Sequence, residues 1–132
     1  MITGGCLCGA VRYEAQGEPL FALHCHCRDC QRASGTGHVP IMGMPKSLFR
    51  VIGETKSYAV MGGSGLRAIR HFCPVCGSLL FGTPEAAPHA VTIYVGSLDD
   101  LSVFKAKLVQ FTRSRPAWDK IAPSVPEFDT VP

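Results

Sequence analysis

Seven cysteines carry most of the chemistry available to this sequence. They fall into three clusters: Cys6-Leu7-Cys8, Cys25-His26-Cys27-Arg28-Asp29-Cys30 and Cys73-Pro74-Val75-Cys76. An odd number cannot pair fully into disulfides within one chain, and C-x-C and C-x-x-C spacings are those of metal ligands. Zinc takes four ligands in a tetrahedron, and a tight C-x-x-C turn brings two sulfurs to one ion. Gly77, directly after Cys76, suits such a knuckle because that position often needs a positive φ. A C-x-C pair on extended backbone places both sulfurs on one side of the strand, with Leu7 on the other.

Two pairs complete one closed shell: Cys6, Cys8, Cys73 and Cys76. Closed four-cysteine sites are structural. The middle cluster offers only three thiols, Cys25, Cys27 and Cys30. An ion held there keeps a fourth position, as catalytic zinc does. His38, across a glycine-rich turn, is the alternative that would close the site, and a metal-free thiol cluster is another. On an extended C-x-C, His24 and His26 face away from the sulfurs. Three thiolates make zinc a weaker Lewis acid and favour a soft fourth ligand, so the chemistry expected is capture of an external thiol as thiolate. Two zinc ions are expected per chain, one structural and one labile. Base deaminases also use cysteine-bound zinc, but they need a Glu two residues after a zinc-ligand His or Cys. No Cys or His here has one; the nearest match, Cys27-Arg28-Asp29, carries Asp.

The elements that must position these thiols are short. The chain has 132 residues with 14 Gly and 10 Pro, which predicts many turns and no long helix. Alternation at Val11-Arg12-Tyr13-Glu14 predicts a strand. Leu20 to Leu23 reads as a buried strand running into the middle cluster, and Arg28 to Ala33 as one or two helical turns ended by Ser34-Gly35-Thr36-Gly37. Val39 to Met42 reads as an edge or irregular strand because of Pro40. Phe49 to Ile52 and Ser57 to Val60, flanking Gly53-Glu54-Thr55, read as a hairpin. Leu66 to Phe72, the knuckle and Leu79 to Phe81 read as strand, knuckle, strand. Val91 to Val95 is the clearest strand, and Asp99-Asp100-Leu101 starts a short turn. Trp118 is expected to anchor a tail in which Pro116, Pro123, Pro126 and Pro132 prevent long regular structure. The fold class expected is mostly β, one zinc-bound domain of short antiparallel sheets.

Charged residues are 17% of the chain and the net charge is +3, too weak a bias to imply nucleic acid. Seven thiolates and two zinc ions would bring it to zero. There is no run of about 18 apolar residues, so no membrane span is expected, and no signal-peptide pattern opens the sequence. The free thiols fit a reducing cytoplasm. Arg28, Arg32 and Arg70, close to the clusters in sequence, could bind carboxylates of a ligand or offset thiolate charge.

The chain resembles the glutathione-dependent formaldehyde-activating enzymes, which are grouped with centromere protein V. The resemblance is carried by Gly4-Gly5-Cys6-Leu7-Cys8-Gly9-Ala10-Val11-Arg12-Tyr13, by Cys25 to Arg32, by Phe72-Cys73-Pro74-Val75-Cys76-Gly77-Ser78, by Val95 to Asp100 and by Ser114 to Trp118. It implies one formaldehyde-activating-enzyme-like zinc domain over residues 1–132, of the β-rich type sometimes called the beta-tent. It implies a structural zinc on Cys6, Cys8, Cys73 and Cys76, and a reaction-associated zinc on Cys25, Cys27 and Cys30. The activity implied is that of a carbon–sulfur lyase joining glutathione to formaldehyde as S-hydroxymethylglutathione. The alternative implied through centromere protein V is a zinc-stabilised platform for protein or nucleic acid. The sequence departs from many members at Gln110-Phe111, where they carry His followed by a hydrophobic residue.

Overall fold

The computed structural model describes residues 1–121 and 124–132. Ten strands and one helix follow in the order β1 (Ile2–Gly5), β2 (Arg12–Ala15), β3 (Phe21–Cys25), α1 (Arg28–Ser34), β4 (Val39–Pro45), β5 (Phe49–Ile52), β6 (Lys56–Met61), β7 (Arg67–Phe72), β8 (Leu79–Gly82), β9 (Ala90–Tyr94) and β10 (Leu108–Gln110). Short 3-10 turns fill several joints. The mostly β architecture expected from the sequence is present.

The strands form two sheets. The smaller has the order β1-β2-β5, and the larger β10-β3-β4-β9-β8-β7-β6. All pairings are antiparallel except β10 on β3, which is parallel. Strand alternation then decides what each face does. Tyr13 and Ala15 of β2 pack with Met42 and Met44 of β4, Phe81 of β8, and Val91 and Ile93 of β9 into one buried core. The alternate residues Leu23, Cys25, Val39, Ile41 and Tyr94 form a second cluster on the other face of the large sheet.

Direction matters as much as face. Strands β3, β7 and β9 run parallel to one another, so Cys25, Phe72 and Tyr94 finish at one end of the large sheet, where β4 and β8 begin. All three cysteine clusters therefore gather at one end of the molecule, although they are far apart in sequence.

Four expectations need correction. Strand β4 is interior, between β3 and β9. Pro40 is tolerated because its register with β9 begins only at Ile41↔Tyr94, so the proline stands where β4 has a single neighbour. Strands β5 and β6 do not pair as a hairpin: β5 joins β2 and β6 joins β7. Gly53, at φ 102, turns the chain from one sheet to the other, and a Cβ there would sit 2.3 Å from the Ala10 carbonyl oxygen. Trp118 does not anchor the tail, being 74% exposed. Finally, Cys6 and Cys8 lie in a turn after β1, not on extended backbone. In the tail, the expectation for Pro123 falls outside the described residues. The Asp99–Leu101 turn is present, with the Asp100 carboxylate accepting from the Ser102 amide at 3.0 Å.

Candidate metal centre

The four-sulfur group forms where two turns meet. The Gly9 amide donates to the Cys6 carbonyl at 3.2 Å, closing the first turn. The second is the Cys73–Gly77 knuckle between β7 and β8, closed by the Gly77 amide on the Cys73 carbonyl at 2.9 Å, with Gly77 at φ 77 as expected. The Leu7 amide donates to Ser78 Oγ at 3.0 Å and holds one turn against the other. Sulfur separations of 3.6 Å for Cys6 to Cys8 and 3.7 Å for Cys8 to Cys73 result. A tetrahedron with zinc–sulfur bonds of about 2.3 Å has edges of about 3.8 Å. Amides of Val11, Val75 and Cys76 point at sulfur, at 3.2 Å on Cys6 and 3.4 and 3.5 Å on Cys73. Such donors favour thiolate over thiol. The Ser78 hydroxyl and amide pull Cys76 down to about 5. Cys8 is pushed up to about 11: the Ala10 amide favours its thiolate, but burial and the other thiols outweigh it. The donor set fits zinc.

The three-sulfur group sits where β3 ends and α1 begins. Cys25 is the last residue of β3, and Cys27 is the N-cap of α1, its sulfur accepting from the Cys30 amide at 3.3 Å. One helical turn returns Cys30 to the same place. The ligand atoms of Cys25, Cys27 and Cys30 lie within 4.8 Å of one another, and among the described residues no histidine, carboxylate or fourth thiol joins them. Cys25 and Cys30 are buried, while Cys27 is half-buried. Hydrogen bonds from Cys25 and then Cys30 hold the Cys27 thiol down at about 2, and the same contacts push Cys25 and Cys30 up. Three converging sulfurs make a soft donor set, so this group too fits a divalent soft-to-borderline ion.

The surroundings show roles that sequence reasoning left open or missed. Arg70 on β7 reaches across, with Nη2 at 3.6 Å from Cys30 Sγ, so it offsets sulfur charge. Arg28 is turned onto Gln31 Oε1. Arg12 is held by Asp99 through a two-pronged pair, with Nη1 to Oδ1 at 3.0 Å, and this pairing and Thr3 draw the Asp99 carboxyl down to about 2. Arg32 is exposed on α1. Tyr94 belongs to the apolar cluster of Cys25 and Cys30, Leu79 and Phe111 pack against that cluster, and no motif announced Tyr94 or Leu79. Phe111 is left-handed at φ 58, the one such non-glycine among the described residues, and Gln110 lies opposite Cys25 in the β10–β3 register. The sequence signal was available: Gln110-Phe111 is where the chain departs from its relatives' pattern.

His24, His26 and His38 do not reach the three sulfurs. They gather on the opposite side of β3 from Cys25, with the His38 ring 4.9 Å from that of His24 and 5.2 Å from that of His26. His38 Nδ1 lies 2.6 Å from Asp119 Oδ2, and His26 Nδ1 lies 3.0 Å from the Gly37 carbonyl and 3.5 Å from Asp119. The 2.6 Å His38–Asp119 contact is a hydrogen bond, shorter than the roughly 3.4 Å that separates two ligands at about 2.1 Å from one tetrahedral ion, although His26, His38 and Asp119 do gather closely enough to be a metal-ligating group. A cleft of about 580 Å³ opens at this end of the molecule, between Cys6, Leu7 and Ser78 on one side and Ser34, Thr36 and His38 on the other. Val39, Leu79 and Tyr94, which pack on Cys25 and Cys30, belong to its lining.

A mostly β domain with a four-cysteine group and a three-cysteine group, each of which could hold a metal ion, defines a class of thiol-rich domains. The chain belongs to the glutathione-dependent formaldehyde-activating enzyme family, whose model matches residues 1–114. A Halomonas elongata protein provisionally named a glutathione-dependent formaldehyde-activating enzyme is 26% identical over 127 residues, covering 92% of this chain and 81% of its own. A crystal structure of a Rhodobacter sphaeroides protein has the same fold at a TM-score of 0.61 and 24% identity, over 79% of this chain and 96% of that one. No helix among the described residues is long and apolar enough to cross a membrane.

Proposed function

We propose that the protein is a zinc-dependent carbon–sulfur lyase acting on the adduct of a small thiol, glutathione by the family's name, with an aldehyde such as formaldehyde. The observation that carries this reading is the three-sulfur group: Cys25, Cys27 and Cys30 converge, and no fourth ligand-type side chain among the described residues reaches them. Those three residues would hold the catalytic ion, while Cys6, Cys8, Cys73 and Cys76 would hold a structural one. Zinc at the three-sulfur group supplies a position that keeps a fourth sulfur as thiolate at neutral pH.

In the synthetic direction a sulfur lone pair forms a bond to the aldehyde carbon, the carbonyl π pair moves to oxygen, and oxygen takes the proton the thiol gave up. Nothing is oxidised or reduced, and cleavage is the reverse. The chain's residues have separate tasks in this. Arg70, against Cys30, offsets the negative charge that sulfur brings. Val39, Leu79 and Tyr94 exclude water beside the sulfurs. The cleft volume is in the range of small-molecule sites; Cys25, Cys27 and Cys30 do not line it, and it adjoins their cluster through Val39, Leu79 and Tyr94. Arg32, exposed on α1, and Arg113, beside Phe111, are in no ion pair among the described residues and are candidates for a substrate carboxylate, whereas Arg12 and Arg28 are engaged. A reducing, cytoplasmic setting keeps all seven thiols available.

Exchange NMR on glutathione and formaldehyde tests this. The zinc-loaded protein should raise the rate of adduct formation above the uncatalysed rate, and Cys27→Ser should abolish the increase. An unchanged rate with the zinc-loaded protein would refute the reading.

A further inference from the structure

We propose that Asp119 is a positioning residue for the three-sulfur site, acting from the opposite side of β3 by locking the tail onto the Cys25–Cys30 loop. The inference rests on the reading that Cys25, Cys27 and Cys30 hold an ion. His26 is the residue between two of those sulfurs, and it is completely buried. Whatever fixes His26 therefore fixes the spacing of Cys25 and Cys27. The polar groups of His26 that have partners are held by β10, by α1, and by the loop after α1 with the tail. Its amide donates to the Gln110 carbonyl at 3.1 Å. Its carbonyl accepts from Gln31 Nε2 at 2.8 Å, and the same Nε2 donates to the Ser114 carbonyl at 2.9 Å. Its ring Nδ1 faces the Gly37 carbonyl at 3.0 Å and Asp119 Oδ2 at 3.5 Å.

Asp119 closes this arrangement. Its Oδ2 also takes His38 Nδ1 at 2.6 Å, so one carboxylate ties the residue before β4 to the ring behind the sulfurs. The side chain reaches that point only because residue 37 is glycine: a Cβ there would lie 2.4 Å from Asp119 Oδ2 and 2.9 Å from Asp119 Cβ. The Asp119 amide is fixed in turn by the Pro116 carbonyl at 3.1 Å. Asp119 lies beyond the residues the family model matches.

Partners outside the ligand shell commonly change metal affinity by 10–100-fold. Zinc-loaded protein is mixed with 4-(2-pyridylazo)resorcinol and release is followed by absorbance. Wild type should release one zinc quickly and one slowly. Asp119→Ala should speed the fast phase by roughly 10-fold and leave the slow phase unchanged, so the slow phase reports an intact fold. Asp119→Asn, which keeps an acceptor for His38, should restore most of the wild-type rate. Gly37→Ala, which displaces the carboxylate without removing it, should reproduce Asp119→Ala. A fast phase within twofold of wild type in both Asp119→Ala and Gly37→Ala would overturn the inference. A single, slow zinc in wild type would instead refute the three-sulfur site itself.

Discussion

The two sulfur groups sit at the same end of one sheet, yet they are built on opposite plans. The four-sulfur group is made by two turns separated by 65 residues, Cys8 to Cys73, and its sulfurs satisfy one another's spacing and receive backbone amides. It staples the N-terminal strand to the middle of the chain, and nothing about it requires an outside molecule. The three-sulfur group is local, contained in six residues at a strand–helix junction, and its third sulfur arrives by a single helical turn. It borrows its surroundings from elsewhere: Arg70 from β7, Tyr94 from β9, Gln110 and Asp119 from the tail. On the proposed reading, the group that joins distant turns stabilises the fold, and the one that is local in its ligands but distant in its supports is open to tuning.

The largest expected effect breaks the comparison at the structural side. Cys73 is completely buried within the main core, and losing its ion should cost on the order of 10 kcal/mol. That is comparable to the whole stability of a domain, about 5–15 kcal/mol. Cys73→Ser should therefore show no cooperative thermal transition by circular dichroism. A melt within a few degrees of wild type would place the staple elsewhere. At the other site, Cys27→Ser keeps a helix-capping oxygen and removes a sulfur. Turnover should be lost while the melting temperature moves by only a few degrees. A folding defect as large as that of Cys73→Ser would erase the distinction between the two groups.

Arg70→Met sharpens the comparison further. It removes the positive charge beside Cys30 and should weaken the three-sulfur ion by about 10-fold, measured by chelator competition, leaving the four-sulfur ion as it was. The smallest effect concerns the core on which the four-sulfur group packs. Burial raises Tyr13 to about 12 despite its 2.6 Å hydrogen bond with Ser97. A raised acid favours the neutral folded form, so this stability is complete below the ordinary tyrosine pKa near 10 and is lost as pH climbs from about 10 to about 12. Denaturant titrations should show a decline across that window that Tyr13→Phe lacks.

Much of the site was legible because cysteine spacing is a local code. The sulfur groupings followed from cysteine spacing, although Cys6 and Cys8 meet their partners from a turn and not from the strand expected; the Gly77 conformation followed from turn geometry, and the exclusion of His24 and His26 from strand geometry. What was not legible depends on contacts distant in sequence. Strand β1 contains Gly4 and Gly5, poor strand formers, and exists through pairing with β2; Gly4 is needed because a Cβ would meet the Tyr13 hydroxyl at 2.2 Å. Strand β10 is a strand because β3 offers it a parallel edge. The β5–β6 hairpin failed because two strands with a turn between them can join different sheets, and alternation says nothing about which. Trp118 was expected inside by its apolar bulk, but Asp119, one residue later, holds the tail there by hydrogen bonds. Asp119 itself stood in no motif.

The central claim is that three sulfurs leave an ion with room for one more, supplied from outside. Cobalt-substituted protein titrated with glutathione tests it directly, because sulfur-to-cobalt charge-transfer absorption grows with each sulfur bound. Two cobalt ions should bind per chain, and glutathione should intensify and shift the bands of one of them, saturating at one thiol per chain. A single cobalt, or two whose spectra are indifferent to glutathione, would contradict the account.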